Sequence, residues 1–330
     1  MAETPNYSDQ VSAVATGFMR SQILFAAHEG GVFPLLETER SADEVAAALS
    51  WPVRTTRMLL DGLVAIEFVG KTGGRYLNRE VASACLVPGR PGYQGNYLKH
   101  QHGGWEAWSR LGEAIRTERA TREEEERGPE ELRHFILAMA EIGRTSAAEM
   151  LKALDLSPYR HVLDVGGGPG TYPIVFLREH PAMRATLLDR PPVIEIAREQ
   201  VQAAGLESRF GYIPDDMLDT DFGTGYDLIL VSNVIHMLGA EPNRELVRRS
   251  FAALEPGGLL IVKDFLPEPE RTGPPFSLIF ALHMLVNTGQ GDTYTEDEIA
   301  SWTNEAGFDT GRIVPLTAQS RLWLAKKPAG

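Results

Sequence analysis

The stretch that decides the fold class is Val-Leu-Asp-Val-Gly-Gly-Gly-Pro-Gly-Thr, residues 162–171 of 330. An apolar strand ends near Asp164, glycines follow at alternate positions, and a helix-like segment comes next. Glycine allows a sharp backbone turn that still admits a ligand, and a helix offers unpaired N–H groups at its start. The sequence therefore predicts a ligand-binding loop. Its predicted binding residues are Asp164, Gly166, Gly168 and Gly170.

The spacing of these glycines separates two classes of cofactor. The chain reads D-x-G-x-G-x-G, whereas a nicotinamide dinucleotide loop, G-x-G-x-x-G, needs glycine where Thr171 stands. The spacing favours S-adenosylmethionine, which leaves as S-adenosylhomocysteine. A purely structural turn is the alternative that the loop alone leaves open.

Acidic residues follow the next two predicted strands, and they support a cofactor site. Asp189 follows the first strand, where a carboxylate accepts hydrogen bonds from ribose hydroxyls in a doubly wound sheet. After the second strand, we expect Asp216 to accept an adenine amino group and Met217 to lie on the ring face. A lone Asp is more often a helix cap, but acids after successive strands favour a binding site.

Strands and helices alternate from residue 156 to residue 330. The predicted strands are 161–165, 184–188, 210–213, 226–232, 258–265, 311–315 and 321–325. This alternation predicts an α/β doubly wound, Rossmann-like sheet that binds ligands at the carboxyl ends of its strands.

Residues 1–100 form a second predicted domain, mostly helical, with the order helix, helix, hairpin that is typical of a winged helix. Ser41 and Glu44 form a capping box for the first helix, and a Gly-Gly turn lies within residues 71–75. One interpretation is DNA binding. The other is an assembly domain that buries apolar residues against a second subunit. The net charge of −13 opposes nucleic-acid binding, so we expect a homodimer and no nucleic-acid partner.

Residues 101–155 are predicted to be linking helices between the two domains. Trp105, Trp108, Leu111 and Ile115 recur at helical spacing, which is typical of a core face. Linking helices can also form a pocket wall, so Trp105 and Trp108 are candidate substrate contacts and Met139 is a candidate cofactor contact.

Composition limits the cellular setting. No stretch approaches 18 apolar residues, and the first ten residues lack the pattern of a signal peptide. Cys85 is the single cysteine, which fits a reducing compartment. We therefore expect a cytoplasmic protein without a membrane partner.

The chemistry is predicted to centre on His236, just after the strand 226–232. Histidine changes its charge near neutral pH, so it can accept a proton from a hydroxyl as that hydroxyl attacks a methyl group. A neutral thioether leaving group needs no acid, so one base and good alignment suffice. The alternative is a structural histidine.

These motifs resemble one family. It comprises the small-molecule O-methyltransferases with an N-terminal winged-helix dimerisation domain, such as plant caffeate-type and bacterial polyketide enzymes. The resemblance lies in residues 162–171, 189, 215–218, 231–236, 254–258 and 295–308. It implies a class I methyltransferase fold and an intertwined homodimer. It also implies that Gly166, Gly168 and Asp189 contact the cofactor, that Asp216 and Met217 lie at adenine, that Ser232 and Met139 lie near the methionine end, and that His236 is the general base.

The chain departs from the family pattern at the acids that orient this base. The family glutamates fall on Thr293 and Leu324 here, and Asp292 beside the former is the candidate replacement. His283 is a conceivable metal ligand with His236, but no spaced cluster supports one, and we expect no metal.

Apolar residues at helical spacing predict the acceptor's pocket. The candidates are Phe280, His283, Met284 and Asn287, together with Trp105 and Trp108. Such a wall suits a flat aromatic or polycyclic acceptor, although core packing explains the same residues. The sequence thus predicts an O-methyltransferase. Alternatives are C-methylation, hydroxylation or decarboxylation on the same fold, and a cofactor-sensing DNA-binding regulator.

Overall fold

The computed structural model describes residues 7–122 and 128–330. The chain divides into two units, one ending at Gly103 and one beginning at Gly104. The predicted linking segment, 101–155, therefore falls almost wholly in the second unit. The parts of the predicted domains at residues 1–6 and 123–127 lie outside the described residues.

The first unit confirms the predicted order of helix, helix and hairpin. Its helices are α1 (Tyr7–Ala15), α2 (Gly17–Glu29), α3 (Val32–Leu35), α4 (Ala42–Leu49), α5 (Val53–Ala65), α6 (Glu80–Cys85) and α7 (Gly95–Gly103). Its strands are β1 (Arg40–Ser41), β2 (Val69–Thr72) and β3 (Arg75–Asn78), in the order β1-β3-β2. Ser41 and Glu44 form the expected capping box at the start of α4.

Apolar residues of the first unit divide between its interior and its surface. The interior contains Phe33, Val45, Leu60 and Leu63 among other buried side chains. The surface of α1 and α2 exposes large apolar side chains instead. They are Tyr7, Val11, Val14, Phe18 and Met19.

The second unit begins with three helices and continues as a seven-stranded sheet with helices between strands. The helices are α8 (Trp105–Ser109), α9 (Leu111–Thr117), α10 (Pro129–Ala153), α11 (Thr171–Glu179), α12 (Pro191–Ala203), α13 (Ala240–Ala253), α14 (Pro275–Asn287) and α15 (Glu296–Ala306). Single 3₁₀ turns lie at Glu207–Arg209 and Ile235–Met237. The strands are β4 (His161–Val165), β5 (Arg184–Asp189), β6 (Phe210–Pro214), β7 (Tyr226–Ser232), β8 (Leu254–Asp264), β9 (Arg312–Pro315) and β10 (Arg321–Lys326).

The strand order of this sheet fixes where a ligand can bind. The order is β6-β5-β4-β7-β8-β10-β9, with β4 to β8 parallel and β10 antiparallel to both of its neighbours. Apolar clusters cover both faces, which is why the strands read as continuous apolar runs. The order reverses between β4 and β7, and ligands bind outside the carboxyl ends of strands at such a switch point. The sequence-derived strands agree with this sheet to within a few residues.

The predicted helix through residues 105–115 is broken in two. Arg110 lies between α8 and α9. Trp105 and Ile115 are exposed, whereas Trp108 and Leu111 pack against Ala107, Ala114 and Val286. The expectation of one continuous core face was therefore wrong.

Within residues 7–122 and 128–330, none of the helices has the length and apolar character needed to cross a membrane.

Candidate active site

The glycine loop connects β4 to α11 in a conformation that side chains rarely adopt. Gly166 and Gly168 have φ of +63° and +55°. A Cβ on Gly166 would lie 2.8 Å from Val234 Cγ2, whereas a Cβ on Gly168 would meet nothing within 4 Å. The loop is therefore packed on one side and open on the other. Gly170, at φ +72°, precedes the first residue of α11.

Asp164 is fully buried beneath this loop. Within the described residues, neither of its carboxylate oxygens has a hydrogen-bond partner. A Cβ on Gly167 would lie 2.4 Å from Asp164 Oδ2, so the loop covers the carboxylate directly. Burial, with a smaller contribution from the charge of Asp189, raises the pKa of Asp164 well above its usual range.

Asp189 closes the other side of the loop from the end of β5. Its two oxygens accept the backbone N–H groups of Gly168 and Arg190, each at 2.8 Å. Burial raises the pKa of the Asp189 carboxyl, and the charge of Asp216 acts in the same direction. Asp189 and Asp216, the carboxylates predicted to bind ribose and adenine, are therefore close enough for their charges to interact.

Asp216 and Met217 follow β6, as the sequence predicted. Asp216 Oδ1 accepts the Leu218 N–H at 2.8 Å, which fixes the turn. Met217 Sδ would lie 3.4 Å from a Cβ on Gly166, so the thioether is adjacent to the glycine loop. The structure brings the glycine loop, Asp189, Asp216 and Met217 together at the carboxyl ends of the parallel strands β4, β5 and β6.

A buried phenol lies where β7 and α11 approach this edge. Burial raises the pKa of Tyr172 to about 12, opposed by the nearby hydroxyls of Ser232 and Ser146 and assisted by the charges of Asp164 and Asp264. Ser232 is thus part of a buried polar cluster. Met139 is half-buried on α10, one turn before Gly143, where a Cβ would lie 3.4 Å from Thr171 Cγ2. α10 therefore packs against the start of α11.

The central feature is a buried pair formed by His236 and Asp264. His236 lies in the 3₁₀ turn after β7, and Asp264 is the last residue of the adjacent parallel strand β8. Nδ1 of His236 lies 2.7 Å from Asp264 Oδ1, which also accepts the Phe265 N–H at 2.8 Å. Because a carboxylate only accepts hydrogen bonds, the ring donates through Nδ1 and keeps a lone pair on Nε2. This is the tautomer that a base needs.

The carboxylate on the His236 ring is therefore Asp264 and not Asp292. Asp292 is about half exposed, accepts the Thr293 N–H at 2.7 Å and lies 3.7 Å from Arg271. Asp292 precedes α15 in the chain, whereas Asp264 is delivered by a neighbouring strand. The expectation that Asp292 orients the base is corrected on this geometry.

Aromatic rings surround His236 and continue along α14. Phe265 stacks on its ring at 6.0 Å, and Phe280 meets it edge-on at 4.9 Å. Phe276 stacks on Phe280, and His283 lies 5.3 Å from Phe280. We call Phe265, Phe276, Phe280, His283 and Trp108 the aromatic wall. Ring contacts run through this wall from His236 to Trp108.

His283 is held at the far end of the aromatic wall. Trp108 Nε1 donates to His283 Nδ1 at 3.0 Å, so the neutral ring carries its hydrogen on Nε2. Asn287 Nδ2 donates to the His283 carbonyl at 2.8 Å. Of the other predicted substrate residues, Met284 is buried in α14 and Trp105 is exposed on α8.

The described residues contain no group of three or more His, Cys, Asp or Glu side chains that could hold a metal ion.

Three residues at this site were not identified from the sequence. They are Asp264, Tyr172 and Lys263. The available signal was the pair Lys263-Asp264 ending a long apolar strand, because charged residues at the carboxyl end of a central parallel strand are candidates for a site.

Two family models match the chain. The O-methyltransferase domain matches residues 108–309, more than half of the chain. The O-methyltransferase dimerisation domain matches residues 12–88.

Individual relatives agree with these models. The chain is 31% identical to a 3-hydroxy-5-methyl-1-naphthoate 3-O-methyltransferase of Streptomyces sahachiroi, over 91% of this chain and 89% of that protein. It is 31% identical to the acetylserotonin O-methyltransferase of Bos taurus, over 89% of this chain and 90% of that protein. Among solved structures, human N-acetylserotonin methyltransferase in complex with S-adenosylmethionine is similar, with a TM-score of 0.90, 27% identity and 99% of both chains covered.

Proposed function

Because the chain belongs to the O-methyltransferases with an N-terminal dimerisation domain, we propose that it transfers a methyl group from S-adenosylmethionine to a hydroxyl of a small aromatic molecule. The observation that carries the assignment of the base is the buried hydrogen bond between His236 and Asp264.

The residues present fit S-adenosylmethionine. We assign Asp189, which bonds to the glycine loop, to the ribose hydroxyls, and Asp216 and Met217 to the adenine as its polar and apolar neighbours; the closeness of Met217 to Gly166 supports this. Asp164 offers a buried carboxylate without a hydrogen-bond partner in the described chain, which suits a positively charged ligand. Ser232 and Tyr172 add polar groups beside it.

When bound, S-adenosylmethionine would supply a methyl group from its positively charged sulfur, and the rest of the molecule would leave as a neutral thioether, S-adenosylhomocysteine. The acceptor hydroxyl loses its proton as its oxygen forms the new C–O bond. Nε2 of His236 takes that proton, and Asp264 stabilises the charged ring through Nδ1. His236 itself is buried, and the rings of Phe265 and Phe280 on either side of it limit the access of water to this proton transfer.

The acceptor is proposed to be flat and aromatic. The aromatic wall presents ring faces beside His236, and such rings stack on aromatic ligands. Two relatives are named for a hydroxynaphthoate and for acetylserotonin, which are aromatic molecules. His283, held by Trp108, adds a polar group at the end of the wall.

The assembly is proposed to be a homodimer through the first unit. The dimerisation-domain match and the exposed apolar side chains of α1 and α2 support this. The net charge of −13 argues against a nucleic-acid partner, and the single cysteine supports a cytoplasmic location.

The test of the function is transfer to a panel of acceptors that includes hydroxynaphthoates, catechols and hydroxyindoles. We expect S-adenosylhomocysteine to form in equal amount to a product with a new O–CH₃ group identified by NMR. A methyl group on carbon would replace this proposal with C-methylation. A hydroxylated or decarboxylated product formed without S-adenosylhomocysteine would indicate other chemistry on the same fold.

Cofactor binding is expected to release a proton at Asp164. Burial raises the pKa of this carboxyl in the free protein, and a cationic ligand favours its ionised form. Affinity should therefore fall as pH drops below the raised pKa, by up to about tenfold per pH unit for one linked proton. Calorimetry in two buffers of different ionisation enthalpy measures the release. Asp164→Asn should abolish it, and a buffer-independent heat in the wild type would contradict the linkage.

A further inference from the structure

Lys263 is a buried cation that the proposed chemistry does not use. It precedes Asp264 in β8 and is 1% exposed. Burying an ammonium group costs more than burying an apolar residue of similar size, so a well-packed strand would be more stable without it. Its presence next to the His236–Asp264 pair therefore requires a specific reason.

The contacts of Lys263 lead to the turn that carries His236. Its Nζ donates to Asn233 Oδ1 at 2.7 Å, and its carbonyl accepts the Asn233 N–H at 2.8 Å. Asn233 has φ of +57°, a left-handed conformation that is uncommon for residues other than glycine, although Asn adopts it more readily than most. Asn233 links the end of β7 to the 3₁₀ turn, so two bonds to Lys263 hold the residue that aims His236.

Lys263 also acts on Asp264 through charge. Burial lowers the pKa of Lys263 to about 8, and the negative charge of Asp264 opposes that shift. Nζ lies 4.9 Å from the centre of the Phe265 ring, in the same aromatic surroundings as His236. The ammonium therefore balances a buried carboxylate in a region of low polarity.

Other charged and titratable groups of the described chain lie on the neighbouring elements. Arg321 of β10 pairs with Asp264 in the sheet and lies 3.7 Å from Glu268, and Tyr172 of α11 is affected by the charges of Asp164 and Asp264. α14 contributes His283, beyond Phe280. Of these, Lys263 is the residue joined to both Asp264 and the turn before His236.

We propose that Lys263 is a positioning residue for the His236–Asp264 pair, holding Asn233 and keeping Asp264 as the acceptor of the His236 Nδ1 hydrogen. The proposal rests on the proposed function, because it assumes that His236 is the base. Without the Lys263 ammonium group, the His236–Asp264 pair is more easily protonated, and the orientation of the His236 ring is less tightly restrained.

The test compares Lys263→Met with Lys263→Gln, since Gln keeps a hydrogen-bond donor for Asn233 without the charge. We expect kcat to fall about 10–100-fold in Lys263→Met, with smaller losses in Lys263→Gln and little change in the KM of the acceptor. Both variants should move the acidic limb of the kcat/KM profile to higher pH by about 0.5–1 unit, because a nearby positive charge is lost. Lys326→Met, at an exposed position of β10, is the matched control and should shift nothing.

Two further readouts separate this role from simple stability and from failure of the proposed function. Calorimetry with S-adenosylhomocysteine should give wild-type affinity in folded variants. Proton NMR should show the Nδ1–H signal of His236 in the wild type, and Lys263→Met should weaken or shift it, whether or not an acceptor is known. An unchanged signal with an unchanged pH profile would overturn the proposal. Absence of methyl transfer by the wild type, with a clear effect on the signal, would overturn only the function.

Discussion

Replacing His236 by alanine is expected to lower kcat by about 10²–10⁴-fold at neutral pH, the usual contribution of a positioned general base. The acceptor hydroxyl would then lose its proton to water instead of Nε2. Binding of S-adenosylhomocysteine should change by less than about threefold, because the His236 ring bonds to Asp264, whereas the glycine loop is held by Asp189. Rapid-quench single-turnover experiments with saturating cofactor measure the rate of the chemical step directly.

The rate of this variant should recover partly at high pH. A phenol acceptor ionises near pH 10 and then needs no base. His180→Ala, at the end of α11 and outside the site, is the matched control and should retain full activity. Wild-type turnover by the His236→Ala enzyme would show that His236 is not the general base.

Replacing Asp189 by alanine is expected to weaken S-adenosylhomocysteine binding by about 10–150-fold for each ribose hydrogen bond lost, since hydrogen bonds to a charged acceptor contribute about 1.5–3 kcal/mol each. The same carboxylate accepts the Gly168 N–H, so the loop also loses a fixed point. Calorimetric titration measures the dissociation constant, and the melting temperature shows whether the variant is folded.

Asp219→Ala is the matched control for Asp189, because Asp219 is an exposed aspartate on the segment after β6. It should bind S-adenosylhomocysteine like the wild type. If a folded Asp189→Ala protein binds S-adenosylhomocysteine within about threefold of the wild-type affinity, the proposed position of the ribose at the end of β5 is wrong.

The sheet and the cofactor loop were predictable because local patterns determine them. Buried parallel strands appear as apolar runs, and Asp189 ends such a run, whereas Asp216 follows the shorter edge strand β6. Positive φ at Gly166 and Gly168 is a property of glycine itself. The capping box at Ser41 depends on residues three apart, so it was also visible.

The partner of His236 was not predictable in the same way. Asp264 is 28 residues from His236, and only the pairing of β7 with β8 brings them together. The family resemblance directed attention to Thr293 and its neighbour Asp292, which lie in another segment. A rule that compares the last residues of adjacent parallel strands identifies Asp264.

The aromatic wall on α14 was predicted in part, and its role as an acceptor pocket stays a prediction. Helical spacing grouped Phe280 with His283, and their rings lie 5.3 Å apart. Spacing could not reveal the break at Arg110, which separates α8, with Trp105 and Trp108, from α9, with Leu111 and Ile115. Periodicity assumes an unbroken helix, and short helices with irregular joints violate that assumption.

The central claim is that His236 and Asp264 act as one unit, and a double-variant cycle measures it most directly. Asp264→Asn places an amide at Nδ1 that can donate, which favours the tautomer with hydrogen on Nε2 and should lower kcat by about 10²–10³-fold. The single-turnover rate of the double variant Asp264→Asn with His236→Ala should equal that of His236→Ala alone, because residues of one unit are not additive. Losses that multiply in the double variant, or a wild-type rate in Asp264→Asn, would contradict the account.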